Sequence, residues 1–185
     1  KGPLSDAKSY VEATGNASFG YFGGGVLGPG PDVTTVDRID YSNDTATASP
    51  KGPLSLARYG SGATGNQSFG YFGGGKSVGP GERTTVDRID YSSDTGTTPS
   101  KGPLSVAKSF IGATGNADFG YFGGGDPSPS LVDRIDYSND TATASPKGPL
   151  SIVRNRGAAT GNSSFGYFGG RYPADTTVDR IDYSN

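Results

Sequence analysis

A chain of 185 residues with 16 basic and 18 acidic side chains, net charge −2, and no Cys, Met, His or Trp excludes much before any pattern is sought. Thiolate and imidazole chemistry and Cys or His metal sites have no donors, and no disulfide can support the fold. The charges alternate along the chain instead of forming a basic stripe, which argues against nucleic acid, and no apolar run approaches the ~18 residues of a membrane span, so a soluble chain without membrane insertion is expected.

One order of motifs recurs: Lys-Gly-Pro-Leu-Ser, a variable stretch, Ala-Thr-Gly-Asn, Phe-Gly-Tyr-Phe-Gly-Gly, a second variable stretch, and Val-Asp-Arg-Ile-Asp-Tyr-Ser. It begins at Lys1, Lys51, Lys101 and Lys147, which divides the chain into repeats 1–50, 51–100, 101–146 and 147–185. A fixed period marks one supersecondary unit whose apolar face is buried against the next copy, so the four repeats are read as a single domain. The 32 Gly and 13 Pro recur in register and are therefore read as turns, not disorder. No signal-like segment precedes Lys1, and the sequence opens and closes inside the repeat; a processed product or part of a longer array is expected, with the parent's repeat number open.

In the second repeat, residues 51–55 read as a short edge strand, because Pro53 cannot donate to a ladder. Residues 56–62 read as a strand of small side chains, and Ala63-Thr64-Gly65-Asn66 as a tight turn, since Gly and Asn tolerate positive φ. The aromatic run within residues 68–75 reads as a strand covered on both faces, its glycines admitting an aromatic ring from a neighbouring sheet. Residues 85–91 form the next strand, with Ile89 and Tyr91 on one face and Val86, Arg88 and Asp90 on the other, a polar face suited to internal pairing. No segment has a helical period. Four short antiparallel strands per 46 to 50 residues is the spacing of propeller blades, with a β-solenoid as the alternative.

The order of these elements resembles the kelch repeat over the whole chain. The diglycine is matched by Gly23-Gly24, Gly73-Gly74, Gly123-Gly124 and Gly169-Gly170, the Tyr-Asp element, in reversed order, by Ile39-Asp40-Tyr41 and its copies, and the basic residue by Lys8, Arg58, Lys108 and Arg154. The resemblance implies an all-β, kelch-like β-propeller of four blade-type repeats, or part of a larger one. Kelch units place a Trp after that Tyr, and here the slot holds residues 44–48, Asp-Thr-Ala-Thr-Ala. Closure within the chain would set residues 178–185 beside residues 1–5; two chains or a longer parent would complete a larger ring, and stacked units a filament.

The repeats differ in two places, the loop after the glycines and the stretch after Leu-Ser, and strand alternation puts both on one face while the near-constant turns share the other. A varied face on a fixed frame is how scaffolds present recognition loops, although unconstrained loops also drift. Candidate ligand-binding residues there are Tyr10, Glu12, Tyr59, Arg83, Phe110, Arg154, Arg156, Arg171 and Tyr172, a Tyr/Arg-rich set that suits a glycan or a protein surface. Asn16, Asn43, Asn66, Asn139 and Asn162 each open an Asn-x-Ser/Thr triplet, candidate N-glycosylation sites that are equally ordinary turn residues. Asp37, Asp40 and Asp44 offer oxygens to Ca²⁺, but Arg38 among them favours ion pairing and capping.

No catalytic residue, metal or cofactor is assigned: fourfold repetition of the same Asp argues for structure, and a carboxylate found in one repeat only, such as Glu12 or Glu82, is what a glycan-active hydrolase would use. The expectation is a non-enzymatic extracellular or virion-surface binding and structural module, such as part of an adhesion fibre. The alternatives are a self-associating fibril subunit and the hydrolase.

Overall fold

The computed structural model of the chain describes residues 1–79, 81–127 and 130–184; Pro80, Ser128 and Pro129 of the variable loops, and Asn185 of the proposed closing strand, lie outside the described residues. In chain order the strands are β1 (Lys8–Ser9), β2 (Glu12–Gly15), β3 (Phe19–Gly23), β4 (Val26–Leu27), β5 (Val36–Asp40), β6 (Ser49–Lys51), β7 (Gly62–Gly65), β8 (Phe69–Gly73) and β9 (Val86–Asp90). They continue as β10 (Gly112–Gly115), β11 (Phe119–Gly123), β12 (Val132–Asp136), β13 (Ser145–Lys147), β14 (Ala158–Gly161), β15 (Phe165–Gly169) and β16 (Val178–Asp182).

The fold is all-β, built from antiparallel sheets in the orders β2-β3-β5-β6, β7-β8-β9, β10-β11-β12-β13 and β14-β15-β16, with β1 and β4 forming a two-stranded ribbon beside the first. Register repeats from sheet to sheet: Phe72 lies opposite Ala63 and Asp87, and Phe122 opposite Ala113 and Asp133. Each fourth strand comes from across the repeat boundary, Ser49–Lys51 and Ser145–Lys147, and in the second sheet it shrinks to a bridge between Asp87 and Ser100.

Three expectations are corrected. Ala63-Thr64-Gly65 is not a turn but the inner strand β7, and the turn falls on Asn66, whose Oδ1 accepts from the N–H groups of Ser68 and Phe69. Residues 56–60 form no strand where one was expected, Tyr59 making only an isolated bridge to Lys76, and the outer strand precedes residues 52–55. Lys1 to Pro3 do not lie beside β16: Gly2 donates to the Asp44 carbonyl and Ala48 to that of Pro3, within the first repeat, and among the described residues β16 pairs with β15 alone. Among those residues no helix is long and apolar enough to cross a membrane.

The sheets pack face to face in series, β2 beside β7, β7 beside β10 and β10 beside β14. Three apolar cores result, one between each consecutive pair: Tyr21, Leu54, Phe72 and Tyr91; Tyr71, Leu104, Phe122 and Tyr137; Tyr121, Leu150, Phe168 and Tyr183. Each Phe enters a space that a glycine leaves open. A Cβ on Gly73 would stand 2.6 Å from Phe122 Cε1, and one on Gly123 2.6 Å from Phe168 Cε1, so only glycine lets the rings reach the strand. Beside each Phe, a tyrosine of one sheet stacks on a tyrosine of the next: Tyr21 on Tyr91 at 4.8 Å, Tyr71 on Tyr137 at 4.7 Å, Tyr121 on Tyr183 at 4.8 Å. Sheet-to-sheet contact is thus made by Phe and Tyr, while the slot after the second tyrosine carries the polar anchors Asp94 and Asp140.

Candidate functional site

The frame is pinned by two sets of charges. Inside each sheet a basic residue meets the first Asp of Val-Asp-Arg-Ile-Asp: Lys8 with Asp37 at 3.0 Å, Arg58 with Asp87 at 3.0 Å, Lys108 with Asp133 at 3.1 Å and Arg154 with Asp179 at 3.0 Å. Burial pushes the Arg58 guanidinium and the Lys108 amine down from their ordinary values, and the paired carboxylates oppose that shift. Ser55 adds two hydrogen bonds to Asp87, and Arg58 donates to the Phe72 carbonyl.

Between sheets, Asp94 accepts from Tyr21 at 2.9 Å and Arg38 at 2.7 Å, with Lys51 at 3.5 Å; Asp140 gathers Tyr71, Arg88 and Lys101 in the same way. Burial, reinforced by these carboxylates, raises the Tyr21 and Tyr71 phenols far above their usual range. The arginines also lie over phenylalanines of their own sheets, Arg38 over Phe19 and Arg88 over Phe69, each at 4.3 Å.

The connections that vary between repeats lie on one face. Tyr59 and Lys76 exchange backbone hydrogen bonds, as do Ser109 and Asp126, so the loop after the glycines zips onto the stretch after Leu-Ser. The constant turns meet on the opposite face, where the Tyr91 N–H reaches the Ser68 carbonyl.

On the varied face the backbone takes one conformation at equivalent places: Tyr10, Gly60, Phe110 and Arg156 have φ of 56°, 61°, 55° and 57°. Each of the last three donates its N–H to the carbonyl of the one before, a chain of bonds running across all four repeats. Left-handed backbone is free for glycine and costs about 1 kcal/mol at a side chain with a Cβ. Three of the four positions nevertheless carry large side chains, and these converge. Tyr10 stands 5.7 Å from Tyr59 and 6.2 Å from Phe110, Tyr59 stands 6.0 Å from Phe110, and the Arg156 guanidinium lies over Phe110 at 4.6 Å and over Tyr172 at 5.5 Å.

Five of the nine candidate ligand-binding residues, Tyr10, Tyr59, Phe110, Arg156 and Tyr172, therefore form one contiguous aromatic and cationic surface, with Tyr10 and Tyr172 well exposed. Arg83 and Arg171 hold loops, donating to Ser77 Oγ and to the Val153 carbonyl. Arg154 is 3% exposed and belongs to the internal ion pairs. Glu12 is half-buried on β2, at the place taken elsewhere by Gly62, Gly112 and Ala158, and burial pushes its carboxyl up to about 7. Asn155, which the sequence reading missed, donates to Asp126 at 3.0 Å and joins the last two varied loops.

Asn16 and Asn66 use their amides to reach carbonyls of the following repeat, Gln67 and Ala117, whereas Asn162 caps its own turn and is exposed. Asn43 and Asn139 accept from Thr45 and Thr141 within exposed turns. Asp37, Asp40 and Asp44 serve three separate ends: the pair with Lys8, a cap on Ser42, and the pair with Lys1.

Set against known protein families and curated proteins, the sequence matches no family model and no curated relative.

Proposed function

We propose that the chain is a kelch-like β-propeller module, four blade-type repeats standing alone or within a larger ring, that binds a glycan or protein surface without catalysis through the Tyr10, Tyr59, Phe110, Arg156 and Tyr172 surface. The reading places it in an extracellular or virion-surface structure such as an adhesion fibre. The observation that carries it is the left-handed backbone at Tyr10, Phe110 and Arg156. Gly60 supplies the strain-free solution at the same place, so three bulky residues held there cost stability that contact with a ligand offsets. Aromatic faces with a guanidinium above them stack on sugar rings and anchor protein interfaces equally well.

Two substitutions separate recognition from drift. Tyr10→Gly relieves strain at an exposed position and should leave the melting temperature unchanged or higher while binding falls; Arg156→Ala should weaken the same binding. Retention on a glycan array, or capture of a displayed protein library member, measures it. A chain whose binding is indifferent to both substitutions is not working through this surface. A glycan hydrolase is the second reading, favoured by the raised pKa of Glu12. Turnover by the wild-type chain that is lost in Glu12→Gln would select it.

A further inference from the structure

We propose that the open face of the first sheet and the open face of the fourth are two halves of one interface, and that a second copy of this chain docks head to tail through them. The surfaces lie at the ends of the stack, so the inference stands independently of the ligand reading.

The chain already contains this interface three times. On one side of each stands a sheet offering a bare glycine (Gly23, Gly73, Gly123), a buried tyrosine (Tyr21, Tyr71, Tyr121) and a threonine that bonds the incoming tyrosine (Thr14, Thr64, Thr114). On the other side comes a sheet bringing a phenylalanine for the glycine and a tyrosine for the stack; in the first two interfaces an aspartate, Asp94 or Asp140, also takes the preceding Arg and Lys. The fourth sheet repeats the first side with Gly169, Tyr167, Thr160 and Arg180. The first sheet repeats the second side with Phe22, Tyr41 and Asp44.

Both halves stand open. Tyr41 is 54% exposed, whereas Tyr91, Tyr137 and Tyr183, each under a preceding sheet, are 8%, 9% and 5%. Val178 is 62% exposed where Val36, Val86 and Val132 are fully buried. Among the described residues a Cβ on Gly169 would meet only Val178, at 3.5 Å, while the equivalent positions are filled by phenylalanine rings. Phe22 is half-buried where Phe72 and Phe122 are fully buried.

The charges match as well. Lys1 sits on Asp44 at 2.7 Å, as Lys51 and Lys101 sit near Asp94 and Asp140, so the aspartate lacks only the guanidinium and phenol that Arg180 and Tyr167 of another copy carry. The pairing of Val36 with Lys51 and of Val132 with Lys147 sets the register: Lys1 of one copy opposite Val178 of the other. The two halves differ, so the contact is heterologous. It grows into an open array, or closes if the rotation allows; two copies give eight sheets, within the range of closed radial folds.

Sedimentation of the purified chain across a concentration series tests this with two blocked forms. Gly169→Leu fills the space on the fourth sheet, its Cβ at ordinary contact distance, 3.5 Å, from Val178, and the pair Tyr41→Ala with Asp44→Lys removes the stack and reverses the charge on the first. Wild type should associate with rising concentration, as a defined dimer or as a ladder. Each blocked form should need at least about tenfold more protein to associate, and an equimolar mixture of the two should form dimers and go no further. Matching circular dichroism spectra establish that the variants fold, with Arg180→Glu replacing Gly169→Leu if that variant does not. A wild-type chain that stays monomeric, or association that both blocks leave intact, overturns the proposal.

Discussion

Replacing Phe122 by Ala removes a fully buried ring from between the second and third sheets, and the structure fixes what remains to fill the space. The ring faces Gly73 and Gly62, whose absent side chains are what made room for it; a Cβ on either would lie within 3.2 Å of a ring atom. Glycines have nothing to swing into the vacancy, so the cavity persists and the cost falls toward the upper part of the usual 3–5 kcal/mol for Phe to Ala. Phe22 occupies the same register, opposite Ala13 and Asp37, with no sheet laid over it. Phe22→Ala should cost only about 1 kcal/mol, the burial given by its own sheet. At about 2–4 °C per kcal/mol for a chain of this size, Phe122→Ala should melt roughly 10 °C lower than wild type and Phe22→Ala about 3 °C lower. Urea and thermal unfolding followed by circular dichroism, at a dilution that keeps the chain monomeric, measure both. Equal losses would mean that stability resides within each sheet, and the account of phenylalanine seated on glycine would be wrong.

Glu12 ties stability to pH. Its folded-state value of about 7 exceeds the ordinary 4.5, so the fold favours the protonated form; the contribution is complete below about pH 4.5 and is lost as pH rises through 7. Allowing for partial exposure, the loss is about 1–2 kcal/mol; melting temperatures from pH 4.5 to 8 should fall for wild type and stay level for Glu12→Gln, and parallel curves would refute the assignment. Asp40, Asp90, Asp136 and Asp182 are lowered by hydrogen bonds from the serine two residues on, so their contribution disappears only below about pH 4, outside that window. Asp87→Asn leaves Arg58 charged and buried; a loss of about 3–5 kcal/mol in urea unfolding is expected, and a loss under 1 kcal/mol would show that the pair is not integral to the sheet.

The all-β architecture and the serial arrangement were legible because Phe-Gly-Tyr-Phe-Gly and Val-Asp-Arg-Ile-Asp alternate in register at a fixed period. Ala-Thr-Gly-Asn misled because its local chemistry is that of a turn, while pairing of Thr64 with Tyr71 and Gly65 with Gly70 overrides that preference. Arg154 lies beside a variable stretch and so looked available to a ligand. Aligned under Lys8, Arg58 and Lys108, it holds the position of an internal cation, a signal already present in the repeats. The shared left-handed backbone was equally readable in part, since Gly60 stands in line with Tyr10, Phe110 and Arg156. Which side chains then meet depends on the spacing of the sheets, and no local pattern encodes that.

The same geometry explains why one face varies and the other does not, although both carry exposed residues. On the constant face side chains make the joints between repeats: Asn16 reaches the Gln67 carbonyl, Thr14 meets Tyr91, and Asp94 gathers Tyr21, Arg38 and Lys51. Changing any of these residues opens a seam between sheets. On the varied face every consecutive pair of repeats is joined backbone to backbone, Gly25 to Arg58, Gly75 to Lys108 and Gly125 to Arg154, and peptide groups make these joints whatever the side chain, with side-chain contacts such as Asn155 to Asp126 added locally. Freedom to vary therefore follows from the frame and is no argument for a ligand by itself. What drift does not supply is a tyrosine, a phenylalanine and an arginine each held at positive φ where the second repeat shows that glycine fits. That excess cost, shared by Tyr10, Phe110 and Arg156 on the varied face, is what the proposal of a recognition surface rests on.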